Sequence, residues 1–197
     1  MEADFHPSVV RNHRPLGMVL TRFLDVSSTV FEIGAGDGGH IALLHRILPF
    51  ASWQTSELAE RLPALSRRIA SLGDSRLPEP YEFAAGTGQT DVGEFDLVLT
   101  VNTFHIMTDD AVAALIAAVP ALLKPGARFV VYGPFAIAAE QISVGNAEFD
   151  RALRRGGAGQ GIRDLDLVAS RAAAAGLSLD WRIVMPANNL VLVFGSV

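Results

Sequence analysis

The run VFEIGAGDGGH, Val30 to His40, constrains this chain more than any other. An apolar strand pattern stops at Gly34, and glycines then recur at positions 34, 36, 38 and 39 before the helical pattern GHIALLHRIL begins. Glycine allows a tight turn and leaves no Cβ where a ligand must approach the backbone. Strand, glycine loop and helix form the opening unit of a doubly wound sheet, whose ligands sit at the carboxyl ends of the strands.

The rest of the chain extends that unit. PLGMVLTRFL, Pro15 to Leu24, has helical spacing, with Pro15 suited to a first turn. STVFEIG predicts the first strand, ASWQTSE the second, YEFAAG the third, FDLVLTVN the fourth and ARFVVYGPF the fifth. Helices are predicted over 39–48, over 58–72 with Gly73 as the stop, over 109–123 with KPG as the stop, and over 164–175. LSLDWRIVM and NLVLVFGS close the chain as an antiparallel hairpin. The expected fold class is therefore α/β: a doubly wound, Rossmann-like sheet with a C-terminal antiparallel hairpin, in one domain over residues 1–197. Residues 1–25 are expected to form a helical lid. The stretch 136–163, too long for a simple crossover, is expected to build part of a pocket.

Half of the 197 residues are hydrophobic, which predicts a dense core. The longest apolar run, Ala111 to Leu123, is interrupted by Pro120 and is too short to span a bilayer. MEADFHPSVVRNHRP lacks the charged-then-apolar order of a secretory signal, so a cytoplasmic location is expected. There is no cysteine, and the histidines at 6, 13, 40, 45 and 105 show no HExxH spacing, so no metal site is expected. The net charge is −5 and the basic residues are scattered, which argues against nucleic acid as a partner. The expected partner is a small molecule, with no membrane, and a homodimer is carried as an option.

The glycine loop fits two ligands. Gly34, Gly36 and Gly39 satisfy G-x-G-x-x-G, a dinucleotide pattern. Glu57, at the end of the second strand, suits a ribose hydroxyl in either case. Glu32, however, lies two residues before Gly34 and gives E-x-G-x-G-x-G. An acid there attracts the ammonium group and sulfonium of S-adenosylmethionine and repels a pyrophosphate, and Asp37 adds to the repulsion. S-adenosylmethionine is the expected cofactor. Its expected contacts are Glu32, Gly34, Ala35, Gly36, Gly38, Glu57 and Leu58, joined by Ala85, Gly86 and Asn102 from the later strands.

A wider resemblance runs along nearly the whole chain. RN at 11–12, WQTSE at 53–57, NTFHI at 102–106, YGPF at 132–135, NAEFDRALR at 146–154, GIRD at 161–164 and MPANN at 185–189 occur in that order. In them the chain resembles class I methyltransferases, and among these the family of methyltransferase-like protein twenty-six. The resemblance implies S-adenosylmethionine-dependent methyl transfer to an unspecified acceptor. Members of that family usually end the third strand in LDV, whose acid faces the adenine. Here the strand ends FAAGTG, so Ala84 or Ala85 replaces the acid and backbone groups near Gly86 are left to meet the base.

The same rim collects candidates for chemistry. His105 follows the fourth strand directly and titrates near neutrality as a free side chain, which makes it the candidate base; the bland alternative is a packed rim histidine. Tyr132 is a second catalytic candidate, or a packing residue with its hydroxyl paired. Arg11 and Asn12, read as preceding the first helix, are substrate contacts or caps. Phe135 lies on the rim. Arg154 meets an acidic substrate or pairs with Asp150 one helical turn away. Asn188, beside Asn189, is a substrate amide or a turn residue. The activity expected is transfer of a methyl group to an O, N or S atom of a small molecule. An NAD(P)-dependent oxidoreductase and a non-catalytic binding or scaffold protein are the alternatives.

Overall fold

The computed structural model describes residues 4–86, 92–157 and 159–196. Its centre is a sheet built on β1 (Thr29–Ile33), β2 (Ser52–Glu57), β3 (Tyr81–Glu82), β4 (Phe95–Val101), β5 (Leu123–Ile137), β8 (Leu177–Met185) and β9 (Asn189–Ser196), in the order β3-β2-β1-β4-β5-β9-β8. The pairs from β3 to β5 are parallel, whereas β9 runs antiparallel to both β5 and β8. Two short strands, β6 (Glu140–Gln141) and β7 (Arg163–Asp164), pair with the end of β5. The doubly wound α/β class with its C-terminal hairpin is the one read from the sequence.

Alternation along the strands sends side chains into two layers. Phe31, Phe129, Val131, Leu192 and Phe194 face α4 (Asp109–Ala118) and α6 (Leu165–Ala174). Val30, Val130, Tyr132, Val191 and Val193 face α1 (Pro7–Leu20), α2 (Gly39–Ile47) and α3 (Leu62–Leu72). Glu32, between Phe31 and Ile33, falls on the second of these faces. Among the described residues, no helix is long and apolar enough to cross a membrane.

Several boundaries differ from the sequence reading, each for a local reason. The first helix starts at Pro7, not Pro15. Pro7 occupies its first turn, and the His6 ring accepts from Ser8 N at 3.3 Å as the cap. Arg11 and Asn12 therefore lie inside α1, and Leu16, Val19 and Leu20 of the expected lid pack into the core. The third strand pairs over two residues rather than six. Phe83 N still donates to Glu57 O at 3.0 Å, but the small residues after it supply no side chain to hold an edge strand. The helix predicted from residue 58 starts at Leu62 with Pro63 in its first turn. The fourth helix stops at Ala118, and Pro120 sits in a 3₁₀ turn, Val119–Leu122, because it has no N–H for a helix interior. KPG, read as the helix stop, lies within β5, where Lys124 Nζ reaches Asp96 Oδ2 at 2.8 Å. The stretch 136–163 holds α5 (Val144–Gly156), capped by Ser143 Oγ, which accepts from Asn146 N at 3.1 Å.

Candidate functional site

The loop after β1 is tied to β2 at its root. Gly34 N and Ala35 N both donate to Ser56 O, at 3.1 and 3.0 Å. A Cβ on Gly34 (φ +72°) would stand 2.8 Å from Thr103 Cγ2, so this glycine lets β1 and β4 end side by side. Gly36 (φ +64°) is different, because a Cβ there would meet nothing within 4 Å. The loop thus presents bare backbone to open space, and Gly38 then caps α2.

Beneath the loop lies Glu32, 1% exposed, with Oε2 unpartnered among the described residues. Burial, and then the charge of Glu57, push its carboxyl from an ordinary 4.5 up to about 8. Glu57 closes β2 and accepts from Leu58 N at 2.6 Å through Oε2. Gly34, Glu57, Leu58, Ala84, Ala85, Thr103 and Met107 line a first cavity of about 260 Å³, to which α3 contributes through its cap residue Arg61. Small side chains thus stand at the position where the sequence lacks an acid.

A second cavity of about 480 Å³ opens on the other side of the segment that follows β4. Its walls are His6, Ser8, Arg11 and Asn12 at the start of the chain, Asn102 and His105, Pro134, Gly145, Asn146 and Phe149 of α5, and Ala187 to Asn189. Asn102 takes φ +57° and donates its N–H to Tyr132 O at 2.8 Å. Thr103 and Ile106 face the first cavity, whereas Asn102 and His105 face the second, so one short segment forms the partition between them.

His105 is 8% exposed and meets the Phe149 ring edge-on, with centroids 5.2 Å apart. Burial, and then the Arg163 charge, lower its pKa from 6.5 to about 4. The ring is therefore neutral across the physiological range, which corrects the expectation of titration near neutrality. Arg163, 5% exposed, holds the partition: it donates to Phe104 O at 3.2 Å and Met107 O at 2.5 Å, and pairs with Asp109 at 2.7 Å.

Of the sequence candidates, Glu32, Ala35, Gly36, Gly38 and Gly86 border the cavities without lining either, and Tyr132, Phe135 and Arg154 are held by other contacts. Tyr132 is 1% exposed, its hydroxyl accepts from Asn189 Nδ2 at 3.2 Å, and burial raises its pKa to about 12. It lines neither cavity and stays protonated, as a packing residue does. Phe135 is 1% exposed and belongs to the core layer that also holds Phe129. Arg154 donates to Asp150 at 2.7 Å, and Asp150 in turn accepts from Ile162 N at 2.7 Å, which fixes the end of the insertion. Asn188 (φ +57°) lines the second cavity, and its carbonyl accepts from Asn146 Nδ2 at 3.3 Å. The sequence reading missed Asn146, Phe149 and Arg163 as site residues. The spacing of Asn146, Phe149 and Asp150 on one helix face was the signal for the first two. Among the described residues, no group of three His, Asp or Glu side chains could hold a metal.

A family profile described as protein of unknown function (DUF938) matches residues 3–196. The chain belongs to that family. Its fold recurs in an O-methyltransferase family protein from Burkholderia thailandensis, at TM-score 0.77 and 19% identity over 93% of this chain and 55% of that one. An O-methyltransferase family 2 protein from Planctomyces limnophilus, in complex with apigenin, matches at TM-score 0.75 and 16% identity over 94% of this chain and 62% of its own. The structure of PigF with SAH matches at TM-score 0.77 and 16% identity over 90% of this chain and 53% of that one. The chain thus spans between 53% and 62% of the length of these proteins. At such identities the likeness is one of fold, and the fold is that of class I methyltransferases.

Proposed function

We propose that this DUF938 member is an S-adenosylmethionine-dependent methyltransferase acting on a small molecule, of the kind typified by methyltransferase-like protein twenty-six. The observation that carries this reading is the buried Glu32 carboxyl, whose Oε2 has no partner among the described residues, under a glycine loop whose Gly36 faces open space. A cationic amino-acid ligand would draw the proton off Glu32 and pair with the carboxylate left behind, whereas a pyrophosphate offers no charge that does so. Gly34, Ala35, Gly36 and Gly38 would hold the cofactor through backbone, Glu57 and Leu58 its ribose edge, Ala85 and Gly86 its base, and Glu32 and Asn102 its amino-acid end.

When bound, that cofactor supplies an electrophilic methyl group on sulfur. Direct displacement asks the protein for alignment and exclusion of water. In this reading the second cavity receives the acceptor, with Arg11, Asn12 and Asn188 orienting it. His105, neutral because it is buried beside Arg163, is the group able to take a proton from an acceptor hydroxyl or amine. An acceptor that reacts without losing a proton needs only the alignment.

Calorimetry with S-adenosylmethionine, S-adenosylhomocysteine and NADH tests the proposal. Saturable binding of the first two without NADH is expected. Binding of NADH alone would assign an oxidoreductase, and binding of none would leave a scaffold. The cytoplasmic location and homodimer remain part of the proposal, with gel filtration and light scattering as the check on assembly.

A further inference from the structure

The second cavity has a one-sided lining. None of its described wall residues is Asp or Glu, and Arg11 brings a permanent cation to it. Two of its amides are already committed: Asn146 Nδ2 donates to Asn188 O, and Asn189 Nδ2 donates to Tyr132 Oη and Pro186 O. Asn12 is not. Its residue exposure is 0%, its Oδ1 accepts from Arg11 Nε at 3.2 Å, and its Nδ2 has no acceptor among the described residues. The bond to Arg11 fixes which end of the amide is which, so the unused N–H donors stand beside the guanidinium. No described carboxylate pairs with Arg11. A buried donor without an acceptor is costly, and a carboxylate bonded to an arginine and an amide together is among the strongest ways to satisfy one. His6 and Ser8 stand on the same wall as these donors, and Pro134, Ala187 and the Phe149 ring give the otherwise polar cavity an apolar side.

We infer that the second cavity selects an acceptor bearing a carboxylate on a flat, apolar frame, with the carboxylate against Arg11 and Asn12. This inference rests on the methyl-transfer reading for the role of acceptor, though not for the binding of the anion. We place the carboxylate on the acceptor because no residue of the glycine loop, 34–39, lines this cavity; Asn102, read above at the cofactor's amino-acid end, is a wall residue common to both ligands, and the cofactor arm of the test separates the two assignments.

The test uses the full chain and a panel of aryl carboxylates (benzoate, 4-hydroxybenzoate, indole-3-carboxylate) against the matching neutral amides. Binding is titrated by calorimetry and ligand-observed NMR, with and without S-adenosylhomocysteine. At least one carboxylate should bind about tenfold or more tightly than its amide. Arg11→Ala, at an exposed side chain, should keep its melting temperature and lose that preference, while Arg11→Lys should retain part of it. Asn12→Leu, near in size, should weaken the same ligand. Three results overturn the inference: no carboxylate binds; amides bind as well as carboxylates; or Arg11→Ala weakens S-adenosylhomocysteine while 5′-methylthioadenosine, which lacks the carboxylate, is unaffected. The last would assign Arg11 to the cofactor. A carboxylate preference that persists in a protein unable to bind S-adenosylhomocysteine would sustain the anion site and sink the methyltransferase reading instead.

Discussion

Arg163 Nε donates to the carbonyl oxygen of Phe104 at 3.2 Å, across 59 positions of sequence. The same guanidinium reaches Met107 O, Gly159 O and Asp109, so one buried cation fastens the segment after β4 to the end of the insertion. Arg163→Met should leave those carbonyls without a donor, at a cost of roughly 1.5–3 kcal/mol, and lower Tm by about 3–12 °C. It should also raise the His105 pKa, because a repelling positive charge is removed while burial remains. Calorimetry and histidine NMR read both effects. An unchanged melting temperature would mean that the partition is held by other contacts.

Gly36→Val should abolish binding of S-adenosylhomocysteine in a protein that still folds. The new side chain enters the open space beside the loop, and a β-branched residue at φ +64° is strained by roughly 1–2 kcal/mol. A modest drop in Tm with no ligand-induced rise is the expected pattern. Wild-type affinity in the folded variant would sink the assignment of the loop.

Glu57→Ala removes a charged acceptor for the ribose hydroxyls, worth roughly 1.5–3 kcal/mol. Affinity for S-adenosylmethionine should fall about ten- to a hundredfold by calorimetry. A change below about twofold would mean that another residue holds the sugar.

Glu32 should make stability depend on pH. Its carboxyl titrates near 8 when folded and near 4.5 when free, so the folded protein holds a proton that the unfolded chain releases. That contribution is fully present below about pH 4.5 and is lost as pH rises through about 8, with a limiting slope of about 1.4 kcal/mol per unit. His40 and His105, whose pKa values lie near 4, act in the opposite sense below their ordinary 6.5. The difference between wild type and Glu32→Gln therefore isolates the carboxyl. Urea denaturation at pH 5, 6.5 and 8 should show a gap between the two proteins that changes with pH. A constant gap would place Glu32 in water.

If His105 takes the acceptor's proton, His105→Ala should lower turnover roughly 10²–10⁴-fold while S-adenosylhomocysteine affinity stays within about twofold. Because the ring is held neutral down to about pH 4, the wild-type rate should show no histidine step between pH 5 and 8. A step near 6.5 would show that acceptor binding reopens the ring to solvent. An active His105→Ala enzyme would leave alignment as the whole mechanism.

The sheet was legible because two-sided burial leaves a plain record: VFEI, FDLVLTV and NLVLVF are predominantly apolar runs, each with one or two polar residues, bounded by turns. The glycine loop was legible for a similar reason, since strand, glycines and helix are adjacent in the chain. Tyr132 and Phe135 show the limit. Both are buried, as is every residue from Phe129 to Ala136, because the layers on the two faces of the sheet cover β5 to its carboxyl end, and the local sequence does not say how far that cover reaches. Arg163 was invisible because its partners lie in distant segments, and an arginine in GIRD reads as a surface charge. The start of α1 was obscured by Pro15, whose interior place depends on the packing of Leu16, Val19 and Leu20 rather than on propensity.

The partition after β4 carries a thermodynamic consequence. Asn102 to Ile106 is the common wall of two cavities, one turned to each side, so occupancy of either cavity acts on the same few peptide units. Linkage then makes the effect reciprocal: the factor by which a ligand in one cavity changes affinity in the other is the same in both directions. Any coupling between ligands held in the two cavities would pass through these five residues and the single guanidinium that anchors them.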